Sequence, residues 1–154
     1  MARQIEIELD GVAVTATLQE ERVPKTCEAF WGILPHEQMV IHGMWSGCVF
    51  RTMTPVPMPR SLTDQVRYPR PGIEDRTFKT NMNAGDVIFY HGDGINEVCI
   101  SYAEGQFRDG PGGSTYVSLL AKVDKGHANY RKFLDTCAKL HTTGKKRIAF
   151  RRKE

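Results

Sequence analysis

Two runs of alternating apolar and polar residues meet at Asp10-Gly11, and that junction constrains the chain more than any other feature. Ile5, Ile7 and Leu9 alternate with polar neighbours before it, and Val12, Val14, Ala16 and Leu18 alternate after it. A period of two places each apolar set on one face of a strand. An Asp-Gly pair between such runs predicts a two-residue type I′ turn, because both central positions of that turn need positive φ. A lone hairpin with one apolar face is marginal in water, so further strands or a helix must cover it. With 154 residues the chain can hide about two-thirds of its unfolded surface in one core, and a single domain over residues 1–154 is expected.

The remaining pattern supplies those elements. Pro24 suits a first helical position, and Cys27, Phe30, Trp31 and Leu34 follow at the spacing of one helix face, ended by Pro35. Met39 to Trp45 and Cys48 to Met53 read as a second hairpin turning at Ser46-Gly47. A two-residue turn there would set Trp45 opposite Cys48, Met44 opposite Val49 and His42 opposite Arg51. His42 and Arg51 would then share a face with Met44 and Val49. From about Thr54 to Ala84 periodicity disappears among Pro55, Pro57, Pro59, Pro69 and Pro71, which predicts a long proline-rich loop beside a site.

Val87 to His91 and Glu97 to Tyr102 flank the Gly92-Asp93-Gly94 turn as a third hairpin, and Thr115 to Val123 is rich in strand formers. Tyr130, Phe133, Leu134, Cys137 and His141 trace a second helix stopped at Gly144, and Lys146 to Arg152 closes the chain as a strand. Such an order predicts a mainly β, α+β protein: a closed barrel with two flanking helices, its last strand returning near the first. Phe30, Trp45, Phe50 and Phe133 are expected in the core. The basic residues Lys145-Lys146-Arg147 and Arg151-Arg152-Lys153 read as a solvated edge that discourages further pairing.

Composition excludes several function classes. A net charge of +3 is too small for the concentrated basic face of a nucleic-acid binder, and no apolar run reaches membrane-spanning length. The N-terminus enters its alternating pattern with no apolar signal core, so a cytoplasmic location is expected. Cys27, Cys48, Cys99 and Cys137 form no C-x-x-C pair and read as buried thiols. The glycine-rich stretches at 92–94 and 110–113 lack the lysine of a phosphate loop. No motif specifies a metal or another cofactor: His42, His91 and Glu97 would converge only on adjoining strands, without a short ligand spacing. A homo-oligomer is compatible with the sequence.

The element order resembles the cyclophilin fold, and Ser46-Gly47-Cys48-Val49-Phe50-Arg51 looks like the stretch in which cyclophilins carry their catalytic arginine. More closely, His42-Gly43-Met44-Trp45-Ser46-Gly47, Tyr68-Pro69-Arg70-Pro71-Gly72 and Gly85-Asp86-Val87-Ile88-Phe89-Tyr90 resemble a bacterial cyclophilin-like family of unknown function, DUF3830. Together these motifs span roughly residues 1 to 123. The resemblance implies a closed barrel with a pocket near Arg51. Arg51 is followed by Thr52-Met53-Thr54-Pro55 rather than the F-x-x-Q-G-G that completes a cyclophilin's proline pocket, so Arg51 alone carries over.

The site expected from these residues is a small-molecule pocket on the barrel flank. Arg51 would anchor an amide, imide or cyclic ureide carbonyl, since a guanidinium offers a planar fork of donors. His42, or His91 steered by Glu97, would move a proton. Trp45, Met44, Tyr68, Tyr90 and Tyr102 would line the pocket. Whether the protein is an enzyme stays open. The alternatives are a non-catalytic subunit that binds a peptide or partner enzyme, and a residual peptidyl-prolyl isomerase resting on Arg51.

Overall fold

A computed structural model describes residues 1–59, 78–92, 95–108 and 117–154. The first hairpin forms as its sequence dictates, with β1 (Gln4–Leu9) and β2 (Val12–Leu18) joined through Asp10 at φ 50° and Gly11 at φ 79°. Its register sets Ile5 against Ala16, Ile7 against Val14 and Leu9 against Val12, so both apolar sets share one face. Helix α1 (Pro24–Ile33) follows, with Thr26, Cys27 and Phe30 buried. Next come β3 (His36–His42), β4 (Val49–Thr52), the short strands β5 (Phe78–Lys79) and β6 (Asn81–Met82), β7 (Asp86–Gly92) and β8 (Ile95–Ser101). The chain continues through β9 (Gly105–Gln106), β10 (Val117–Val123), α2 (Tyr130–Thr143) and β11 (Lys146–Arg152).

Eight strands run in the order β2-β1-β11-β3-β4-β8-β7-β10, and β10 pairs back onto β2 through Ala121–Leu18 and Val123–Ala16. That closure gives an antiparallel barrel whose main strands expose no unpaired edge. The final strand lies between β1 and β3, which corrects the expectation of a solvated basic edge. Its arginines face acidic neighbours instead. Arg151 bonds Glu6, Glu8 and Glu37 at 3.2, 3.1 and 3.4 Å, and Arg147 also bonds Glu37. Cross-strand matching of this kind accounts for the placement of Arg147 and Arg151 on the ribbon.

The apolar residues divide into two clusters, as the period of two requires. Inside the barrel, Ile5, Ile7, Leu9, Ala16, Phe50, Val87, Phe89, Ile100, Ile148 and Phe150 are buried with Phe30 of α1 and Phe133 and Cys137 of α2. Phe30 meets Phe150 edge-on at 5.5 Å. On the outer face of β4, β8, β7 and β10, Val49, Cys99, Ile88 and Leu119 form a second cluster with Met82 and Phe107. The small β6–β9 sheet brings those last two residues there.

The second hairpin departs from its expected form. β3 pairs with β4 as Val40–Thr52, Ile41–Arg51 and His42–Phe50, one residue out from the expected register, and residues 43–48 form a loop rather than a two-residue turn. Gly43 explains the switch: its N–H donates to Val49 O at 2.7 Å, and a Cβ on Gly43 would stand 2.9 Å from that oxygen. Gly47, at φ +76°, turns the chain back. A shift of one residue exchanges faces, so His42 joins the inward side with Phe50 while Arg51 lies on the outer side. Trp45, expected in the core, is 47% exposed on the loop.

Because a backbone atom blocks the added methyl, Gly43→Ala is expected to cost about 1–3 kcal/mol. Urea denaturation should show a lower midpoint at unchanged slope.

Candidate functional site

The outer faces of three adjacent strands build one pocket. Arg51 of β4 lies opposite Cys99 of β8, Cys99 opposite Ile88 of β7, and Glu97 opposite Tyr90, so Arg51, Cys99, Glu97 and Tyr90 share a surface. The 43–48 loop supplies one wall with Met44 and Trp45, and Phe107 and Arg108 supply another. Tyr90 stands 5.1 Å from Phe107, ring centre to ring centre. Ser46 ties the walls together: its hydroxyl accepts from Arg108 N–H at 2.9 Å and donates to Arg108 O at 3.2 Å. The pocket is an open cleft of about 250 Å³, smaller than a usual drug-sized ligand cavity.

The floor carries the polar chemistry. Arg51 Nη1 donates to Glu97 Oε1 at 3.1 Å and to Thr52 O at 3.3 Å. The Glu97 side chain is 11% exposed and that of Arg51 42%. Loss of water raises the Glu97 pKa above the ordinary carboxylate value, while the Arg51 charge and hydrogen bond pull it part of the way back. Among the described residues, Glu97 Oε2 and Arg51 Nε and Nη2 make no hydrogen bond. The pocket therefore offers a cationic donor edge beside a carboxylate acceptor. Cys99 behind them is fully buried, and desolvation holds its thiol well above the usual range, so it is not an activated nucleophile.

The expected site residues separate. Arg51, Glu97, Met44, Trp45 and Tyr90 come together at the pocket. His42 turns to the other face, where its Nδ1 lies 2.8 Å from Gly43 O and its Nε2 lies 2.7 Å from Tyr102 Oη. Tyr102 is thus held by His42 and does not line the pocket. His91 pairs in register with Asn96, but its side chain lies outside the described residues, as does Tyr68. The same holds for the 60–77 part of the proline-rich loop and for most of the two glycine-rich stretches. Among the described residues, no three His, Cys, Asp or Glu side chains gather as metal ligands, and no helix is long and apolar enough to cross a membrane.

Sequence reasoning named Arg51 and Glu97 separately but missed their pairing across 46 positions. It also missed Phe107 and Arg108, which sit beside a two-residue strand with no periodic signal.

The profile of a family described as protein of unknown function, DUF3830, matches residues 5–151. The chain belongs to the DUF3830 family. Its barrel is similar in fold to McbB in complex with tryptophan, with a TM-score of 0.65 at 23% identity over 97% of this chain. This chain spans 44% of the McbB chain. The solution structure of the hypothetical protein AF2241 from Archaeoglobus fulgidus is also similar, with a TM-score of 0.55 at 14% identity, covering 99% of this chain and 95% of that one. At these identities the likenesses show the shared fold. No curated protein matches.

A raised carboxyl pKa is measurable. Carbon-13 NMR of Glu97 should give a titration above that of an exposed glutamate, and Arg51→Ala should move it higher still by removing the two influences that lower it. The unfolded chain ionises Glu97 first, so this group favours folding below the unfolded value and loses that contribution as pH rises through the folded value. Glu97→Gln should flatten that part of the stability profile.

Proposed function

We propose that this protein binds a small molecule in the flank pocket, with Arg51 and Glu97 reading its polar edge. The 3.1 Å Arg51–Glu97 pair on an otherwise apolar floor carries the reading. A guanidinium edge beside a carboxylate complements a ligand with an oxygen acceptor next to an N–H donor. Cyclic amides, imides and ureides present that edge on a flat body, and Tyr90, Phe107 and Trp45 supply apolar walls for it. The fold is shared with McbB, whose structure holds tryptophan, which supports small-molecule binding on this scaffold. An α-amino acid offers a related pattern, carboxylate to Arg51 and ammonium to Glu97.

The same geometry supports mild acid–base chemistry. Glu97, with its raised pKa, would take a proton from the ligand N–H or from a carbon beside the carbonyl, and Arg51 would stabilise the charge developing on the oxygen. Glu97 fills the role expected of His42, which faces the opposite side of the sheet. The prolyl isomerase reading rests on Arg51 alone.

Calorimetric titration with hydantoin, dihydrouracil, succinimide and tryptophan tests the proposal. Binding by at least one compound is expected, weakened about tenfold or more in Arg51→Ala, as befits hydrogen bonds to a charged group. Glu97→Gln separates the ligand classes: it retains an acceptor for a neutral N–H, so cyclic amides should lose little, whereas an ammonium ligand should lose about tenfold or more. Affinity unchanged in Arg51→Ala would remove the anchor role.

A further inference from the structure

The loop that walls the pocket is fixed at two points of different chemistry. Ser46 bonds Arg108 on the pocket side through groups that do not titrate near neutrality. On the other side, His42 reaches Gly43 O and Tyr102 Oη, and Tyr102 Oη in turn reaches Gly47 O at 3.1 Å. Gly43 and Gly47 bracket Met44, Trp45 and Ser46. One imidazole and one phenol thus hold both ends of the segment that forms the wall.

Counting protons in this chain shows why it is sensitive. The two carbonyl oxygens can only accept. Gly43 O needs a proton on Nδ1, and Gly47 O needs the tyrosine proton. The remaining Nε2–Oη contact then needs a proton on Nε2, because the phenol hydrogen is already committed. Three contacts require three protons, which an imidazolium and a phenol supply together. A neutral imidazole leaves one contact without its hydrogen.

We propose that His42 and Tyr102 form a proton-dependent clasp that holds the 43–48 loop as the wall of the Arg51–Glu97 pocket. Its consequence for binding rests on the ligand reading above; the clasp itself does not. The surrounding groups set where it operates. Burial is the largest influence on the His42 ring and disfavours its charged form; Gly43 O favours that form, and His141 of α2, 5.0 Å away ring centre to ring centre, acts against it. Tyr102 also faces Cys137 of α2 and Cys48 of the loop, and burial holds its phenol above the ordinary range, so it remains a donor. The complete clasp therefore belongs to mildly acidic conditions, below the usual imidazole midpoint, and loosens as pH rises.

Glu97 lies on the opposite face from His42 but lines the pocket with Trp45, so the test reads the loop in ligand-free protein and repeats it in Glu97→Gln, which removes that second titration. With fluorotryptophan incorporated, fluorine NMR distinguishes Trp45 on the loop from Trp31, whose ring has the Arg3 and Arg152 guanidinia over it at 5.0 and 5.1 Å. Between about pH 5 and pH 8, where imidazole titrates, the Trp45 signal should shift in step with the His42 ring nitrogens while Trp31 stays still. The loss of one hydrogen bond corresponds to about a two- to tenfold change in closed-loop population. Tyr102→Phe should abolish most of the Trp45 shift, and Arg51→Ala should retain it. A Trp45 signal independent of pH, or one that titrates undiminished in Tyr102→Phe, overturns the clasp. If Tyr102→Phe fails to fold, the His42 nitrogen shifts in the unaltered chain decide: both ring nitrogens protonated at the acid end with Trp45 moving in step supports the clasp, and any other pattern overturns it. A titrating Trp45 together with no binding by any tested compound supports the clasp and counts only against the ligand reading.

Discussion

The pairing of Ile41 with Arg51 decides on which face each of the two basic groups, Arg51 and His42, lies. On a pleated strand, neighbours point to opposite faces, so this single register assignment sends Arg51 outward and His42 inward. Gly43 permits it by letting the chain pass close to Val49 O, where a side chain would collide. With Phe50 kept inside, the alternative register would turn His42 outward beside Arg51 and carry Val40 out of the interior cluster with it. Burial of Phe50 among Val40, Val98 and Ile100 therefore works with the glycine to fix the arrangement.

That division gives the barrel wall two functions. Its inner side is apolar and packed by α1 and α2, which supplies rigidity. Among the described residues, its outer side over β4, β7 and β8 is partly covered, and the cleft beside the small β6–β9 sheet is the pocket. Side chains projecting from paired strands are better held than those on free loops, which suits the placement of Arg51 and Glu97. Glu97 experiences two opposed influences there: partial burial favours its neutral form, and the guanidinium favours the charged form. A group balanced in this way responds readily when a ligand adds or withdraws a hydrogen bond.

Much of the architecture was legible in local pattern. Asp10-Gly11 specified the first hairpin and its register, the Pro24 and Gly144 boundaries located the two helices, and the closing strand has the bounds read for it. Local pattern failed where the determining contact was distant. Ser46-Gly47 looked like a tight turn, yet the loop around it is shaped by Arg108 and Tyr102, more than fifty positions away in sequence. Trp45 looked like a core residue by type, but its exposure follows from the loop that carries it. The basic ribbon looked like an edge because its acidic partners lie on β1 and β3.

The sequence by itself determined the main strands and both helices, because periodicity, turn chemistry and helix boundaries act over a few residues. It also determined the chemical inventory near position 51, with one fork-shaped cation among apolar neighbours. Only the tertiary structure decided that Glu97, rather than His42, stands beside that cation, and that His42 and Tyr102 grip the loop from behind. Strand register and closure of a barrel are set by contacts between distant residues, and the face each side chain occupies depends on them.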